Sequence, residues 1–221
     1  MKKYAMPSKS FLTALGLLLM LSCGEADRSE AASLPYYREA TFTPHWFTAD
    51  SDSLADFHQI SPFRLVDQLG DTVTEAMLAD KIYVANFFFT ACPGICPKMT
   101  NNMTVLQDAF REVPDVKLLS HSVTPNYDSV AVLRNYAESN GVDAGTWHLL
   151  TGDRDQIYRL GRQDYFAEED LGLEREQDDF LHTENFVLVD RDRHIRGIYN
   201  GLSLASVDQL TRDIRTLLAE R

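Results

Sequence analysis

Phe87-Phe88-Phe89-Thr90-Ala91-Cys92-Pro93-Gly94-Ile95-Cys96-Pro97-Lys98-Met99 joins two kinds of pattern. Before it, Ile82 to Phe89 is an unbroken apolar run, the mark of a strand buried on both faces. After it, Met99, Met103, Leu106 and Phe110 recur at the spacing of one helix face. The break between them is a Cys-Pro-Gly-Ile-Cys-Pro turn, and proline is at home in a first helical turn, where its missing N–H costs nothing. Two cysteines four residues apart therefore fall on one side of a helical turn where a strand hands over to a helix. The helix N-terminus brings free N–H groups and partial positive charge to both sulfurs and favours thiolate. Such a pair can bind a soft metal ion or close to a disulfide.

Working outward, the spacing predicts a β-hairpin from Phe63–Asp67 and Thr72–Thr74, turning at Gln68 to Asp71. The cysteine helix is expected over about Pro97 to Val113, stopped by Pro114. Val116 to Val123 reads as a strand, Asp128 to Ser139 as a helix closed by Asn140-Gly141, and Trp147 to Leu150 as a short strand. Asp153 caps a helix presenting Ile157 and Leu160. Phe166 to Asp179 is an acidic insertion read as a solvated loop. Asn185–Asp190 and His194–Tyr199 form a second hairpin. The last helix is expected to open on a capping box, Ser206-Val207-Asp208-Gln209, and to bury Leu210, Ile214, Leu217 and Leu218. Strand and helix alternate, so the fold class is α/β: a central mixed sheet with helices on both faces in three layers. With cysteines at the first long strand-to-helix turn and a closing β-β-α unit, this is a thioredoxin-like layout with an N-terminal β-hairpin extension.

The 221 residues suffice for one domain and an anchor. Met1 to Lys9 is basic, and the apolar stretch Phe11–Leu21 is too short for a comfortable membrane span. Leu21-Ser22-Cys23-Gly24 resembles the lipobox of bacterial lipoproteins, in which the cysteine is lipidated and becomes the new N-terminus. The expectation is a signal peptide over 1–22, a lipid-anchored tether and extension over 23–56, and the domain over 57–221, exported and facing the periplasm. Within the extension, Leu34 to Phe47 is too aromatic for a free linker and is expected to pack on the domain. Formal charge is −12, and loss of Lys2, Lys3 and Lys9 brings it to about −15, which argues against a nucleic-acid partner. With Cys23 assigned to lipid, Cys92 and Cys96 stand alone. A disulfide between them closes too short a loop to stabilise much, so chemistry is the better reading of the pair.

Together, Phe88 to Pro97, Ser122-Val123-Thr124-Pro125 with Asp128, Tyr136-Ala137, Trp147 to Gly152, and His182-Thr183 ahead of Phe186 to Asp190 resemble the Sco (SenC) family of copper-binding proteins. The resemblance runs from about Ile60 to Leu218. It implies a thioredoxin-like fold and copper, as Cu(I) or Cu(II), held by Cys92, Cys96 and His182. In that fold the loop before the last hairpin faces the cysteine turn. It also implies a metallochaperone role in building the copper centre of cytochrome c oxidase subunit II, with an upstream copper donor or thiol reductant as a further partner. The family's usual transmembrane anchor is replaced here by lipid at Cys23. The competing function is a membrane-anchored thiol-disulfide oxidoreductase, in which Cys92 and Cys96 are redox-active. Against it, no proline follows Pro125, so the cis-proline of general thioredoxin-type reductases is missing near 182–185. A peroxiredoxin-like reading fails on the spacing of Thr90 and the absent proline.

Other soft or titratable residues carry plainer readings. Met99 and Met103 sit at core-face spacing. His45, His58 and His194 are expected at the surface, and His121 and His148 as half-buried, hydrogen-bonded residues.

Overall fold

The computed structural model describes Met1, residues 33–167 and residues 183–220. The expected signal peptide, Cys23, His182 and most of the acidic insertion lie outside the described residues.

From Ser33 onward the chain forms one compact unit. Its centre is a five-stranded mixed sheet in the order β5-β4-β3-β6-β7, built from β3 (Ile82–Phe88), β4 (Val116–Ser122), β5 (Trp147–Leu150), β6 (Asn185–Val189) and β7 (Ile195–Asn200). β3, β4 and β5 run parallel, whereas β6 runs antiparallel to both β3 and β7. All seven residues of β3 are buried, as its apolar run requires. Its side chains divide by parity: Ile82, Val84 and Phe88 enter the core on one face, and Tyr83, Ala85 and Phe87 enter the core on the other.

The first face is covered by three helices, α1 (Cys96–Phe110), α2 (Val130–Asn140) and α4 (Leu204–Ala219). The second is covered by α3 (Arg154–Arg159), the π turn Leu160–Asp164 that continues it, and the hairpin β1 (Arg64–Val66) and β2 (Thr72–Thr74). This is the expected thioredoxin-like three-layer arrangement, with the hairpin taking a helix's share of the second face. Met99 and Met103 are buried in the first core, in keeping with their spacing.

The segment before the hairpin packs as its aromatic content predicts. Tyr36 pairs with His45, and Tyr37 adds a bridge to Ile195 on the edge of β7. Tyr36, Phe47, Phe57 and His194 form edge-on and tilted ring contacts there. His194 is 3% exposed, with Nδ1 bonded to the His58 carbonyl, so the expected surface position is overturned. The aromatic strap that covers it could not be placed from local pattern alone.

Helix ends differ from expectation in instructive ways. α4 begins three residues early: the Ser203 hydroxyl accepts from Ser206 N–H, so Ser206 lies inside the first turn instead of capping it. α2 is capped by Ser129, which releases Asp128 for another task. α1 starts at Cys96, and Cys92 lies before the helix instead of on it. Pro93 disfavours helical geometry at the residue before it.

His148 is hydrogen-bonded as expected, through Nδ1 to the buried Asp67 carboxylate at 2.9 Å. His121 is fully buried, stacked on Phe87 at 5.0 Å, and its Nε2 has no partner among the described residues. Burial pushes its pKa down to about 4, against a smaller upward pull from the Asn86 carbonyl. An unfolded histidine protonates near pH 6.5, so the stability from this neutral imidazole is intact above that pH. It is lost as pH falls from 6.5 towards 4, by on the order of 3 kcal/mol in all. Urea unfolding at pH 7.5 and pH 4.5 should therefore show His121→Phe losing markedly less stability than wild type; equal losses would refute this assignment.

Candidate functional site

The site is built at the carboxyl end of β3. Thr90 and Ala91 leave the strand, the Cys92 N–H bonds back to the Phe89 carbonyl, and Pro93-Gly94-Ile95 form an exposed bend that delivers Cys96 to the first position of α1. No side chain caps α1, so its N–H groups remain directed at the bend.

The two thiols are free and lie in unlike surroundings, each shifting the other's titration. Cys92 is half-buried, whereas Cys96 is 5% exposed and packs in the core with Phe88 and Met99. Burial alone would push the Cys92 thiol up. The Cys96 thiol and the backbone N–H groups of Cys96, Gly94 and Ile95 outweigh it and hold Cys92 below the ordinary thiol value. Burial pushes Cys96 up to about 12, and the neighbouring Cys92 sulfur adds to the rise. The outer sulfur is the readier thiolate and the inner one is held in reserve.

Behind the bend lies a polar knot that pattern reading did not assign. Asp128 is fully buried and accepts from Thr90 N–H (3.3 Å), the Thr90 hydroxyl (2.5 Å), the Ser122 hydroxyl (2.6 Å) and the Thr124 hydroxyl (3.0 Å). Tyr136 closes the same side, its phenol 2.8 Å from the Thr100 hydroxyl and its ring against Phe88. The available signal was the clustering of Ser122, Thr124 and Asp128 at the end of β4 and the loop after it. The partner, Thr90, is 38 residues away in sequence.

A second tie reaches the start of β6. The Asn102 side chain in α1 donates to the Gly201 carbonyl at 2.6 Å, and Gly201 N–H donates to the Glu184 carbonyl at 2.7 Å. A Cβ at Gly201 would sit 2.6 Å from the Phe186 ring and 2.7 Å from the Glu184 carbonyl oxygen, so only glycine allows this approach. Because β6 is antiparallel to β3, its first residues enter beside the strand end from which the cysteines depart. No cluster of three or more His, Cys, Asp or Glu suited to a metal occurs among the described residues.

A model of the SCO1/SenC family matches residues 51–219. The chain belongs to the SCO1/SenC family. Among solved structures, a SCO1/SenC family lipoprotein from Bacillus anthracis is similar at 29% identity and a TM-score of 0.64, over 73% of this chain and 95% of that one. BsSco, described as a Sco-family cytochrome c oxidase assembly protein with a disulfide switch, is similar at 29% identity and a TM-score of 0.63, over 74% and 95%. ScoI of Bradyrhizobium japonicum, with copper bound, is similar at 25% identity and a TM-score of 0.56, over 71% and 98%. A Sco-family chain is thus present over nearly all of the described residues, with Cys92 and Cys96 inside the matched span.

Proposed function

We propose that this protein is a copper metallochaperone that binds its cargo through Cys92, Cys96 and His182 and serves assembly of the copper centre in cytochrome c oxidase subunit II. The observation that carries this is the pair of free thiols, one sulfur accessible and one sheltered, at an uncapped helix start. Two thiolates suit Cu(I), and an imidazole adds affinity for Cu(II). A three-ligand site leaves room for an acceptor's ligands, so metal can leave by exchange. His182 enters this reading through its neighbours. Glu184, two residues on, is tied through Gly201 to Asn102 in the cysteine helix, which makes this stretch a natural source for the third ligand. The copper-bound relative fits the same reading.

The proposal includes the setting. Residues 1–22 are the leader, Cys23 carries lipid, 23–56 are the tether and the N-terminal extension of the domain at 57–221, and the protein faces the periplasm from a membrane surface. The lipoprotein among its relatives fits that topology.

The second reading, a thiol-disulfide oxidoreductase acting on the oxidase copper-site cysteines, is favoured by the inequality of the two sulfurs. An attacking thiol needs thiolate character and access, and a resolving thiol needs neither. His182 separates the two. The variant His182→Ala should weaken Cu(II) binding by roughly tenfold or more and lose its thiolate-copper absorption, since Cu(II) leans on nitrogen ligation. Disulfide formation between Cys92 and Cys96 should be unaffected. Unchanged Cu(II) spectra together with normal oxidase assembly in this variant would remove His182 from the site and put the oxidoreductase first.

A further inference from the structure

Buried carboxylates in proteins are normally matched by a cation, because an unpaired ion is expensive to desolvate. Asp128 is fully buried, and among the described residues no lysine or arginine pairs with it. Four donors do so instead: the hydroxyls of Thr90, Ser122 and Thr124 and the backbone N–H of Thr90. An acceptor with four donors and none to give is the hydrogen-bond signature of an ionised carboxylate. A hydrophobic residue, or a neutral amide with a rearranged loop, could fill the space at lower electrostatic cost.

The position of this charge gives it a use. Thr90 is two residues before Cys92, and it contributes both a side-chain and a backbone bond to Asp128. Ser122 and Thr124 fix the carboxylate from the β4 side, with the Ser122 hydroxyl also accepting from Thr124 N–H at 3.1 Å. The knot therefore moors the cysteine bend to the neighbouring strand's end. The Tyr136 phenol, 2.8 Å from the Thr100 hydroxyl, responds to charge at the same site. Burial raises its pKa first, the Thr100 hydroxyl opposes the rise, and charge on Cys96, Cys92 and Asp128 adds to it.

We propose that Asp128 is a positioning residue for the Cys92–Cys96 bend and that its negative charge biases the site towards divalent over monovalent copper. The inference rests on the reading of Cys92 and Cys96 as copper ligands. With the same two thiolates in both states, the bound ions differ by one unit of charge, so the fixed negative charge favours the divalent ion by one extra unit of attraction. For two unit charges about 10 Å apart at an effective dielectric near 20, such an attraction amounts to roughly tenfold in relative affinity.

The two roles come apart in three variants. In Asp128→Asn, the amide oxygen can keep the Ser122, Thr124 and Thr90 N–H bonds, with the Thr90 hydroxyl turning to accept from the new NH2; the mooring stays and the charge goes. Asp128→Ala removes both. Thr90→Val removes one strand of the mooring and keeps the charge. The experiment measures the midpoint potential of bound copper in the full-length protein and, on the copper-free reduced protein, the ratio of Cys92 to Cys96 alkylation, with thermal midpoints recorded alongside. The expected result for Asp128→Asn is a potential higher by about 60 mV, the equivalent of tenfold for one electron, with the alkylation ratio unchanged. Asp128→Ala and Thr90→Val should lose the preference for alkylating Cys92. An Asp128→Asn potential equal to wild type, or an unchanged alkylation ratio in both other variants, overturns the inference even if stability falls. Absence of copper binding in wild type overturns the underlying copper reading instead.

Discussion

Replacing Cys96 with serine should lower Cu(I) affinity by well over a hundredfold, and Cys92→Ser should do the same. The scale follows from what surrounds a metal site: changing a residue that merely orients a ligand costs roughly 10–100-fold, so removing one of two sulfur ligands must cost more. The variants differ in everything except metal binding. Cys96 is 5% exposed among Phe88 and Met99, so its serine variant places a hydroxyl in an apolar pocket and should lose on the order of 1 kcal/mol of stability. Cys92 is half-buried at the exposed bend, so its variant should be nearly neutral in stability. Anaerobic Cu(I) competition titrations paired with denaturant unfolding check both halves. Retention of tight Cu(I) binding by either variant would move the site elsewhere. Equal stability costs would contradict the asymmetry of the pair.

Much of this arrangement is legible in the chain because it is local. The apolar run of β3, the Cys-Pro-Gly-Ile-Cys-Pro break and the helix-face spacing of Met99, Met103, Leu106 and Phe110 all lie within 29 consecutive residues, Ile82 to Phe110. Periodicity reads such stretches directly. The errors cluster at helix starts, where nearby polar residues offer the same cap. α2 begins at Val130 behind a Ser129 cap, two residues after the expected start at Asp128, and Ser203 caps α4 in place of Ser206, because serine and aspartate suit a cap equally. The Asp128 knot was out of reach for a different reason. Its donors come from residues 90, 122 and 124, and only the fold brings Thr90 to the other two. His194 illustrates the same limit, since its burial comes from Tyr36 and Phe57, more than 130 residues earlier. The pairing of Cys92 and Cys96 was legible, whereas the inequality of their environments was not, because it depends on which sulfur faces the core.

Arg196→Ala should destabilise the domain by about 3–5 kcal/mol, the range for breaking a buried ion pair by removing one partner. Arg196 is 4% exposed, unusual for arginine, and its guanidinium is occupied on every side. Nη1 donates to the Asp190 carboxylate at 3.1 Å. Nη2 donates to Glu220 at 3.2 Å and to the Leu34 carbonyl at 2.8 Å, and Nε donates to the Pro35 carbonyl at 3.3 Å. The Tyr36 ring lies 4.0 Å from the guanidinium carbon. One cation thus joins the turn after β6, the end of α4 and the aromatic strap. Burial already pushes the Asp190 carboxyl above its usual range, with the His194 N–H and Arg196 pulling it back, so losing Arg196 leaves a buried acid without its nearest countercharge. In a domain of this size each kcal/mol shifts the thermal midpoint by about 2–4 °C, so a fall of roughly 10 °C is expected. Arg196→Lys should recover little, because one ammonium cannot reach carboxylate and carbonyl partners in several directions at once. The strap should loosen first. Limited proteolysis should therefore cut near residues 38–50 in Arg196→Ala under conditions that leave wild type intact. A midpoint within 2–3 °C of wild type, about 1 kcal/mol, would show that the strap and the helix end are held by their apolar contacts alone.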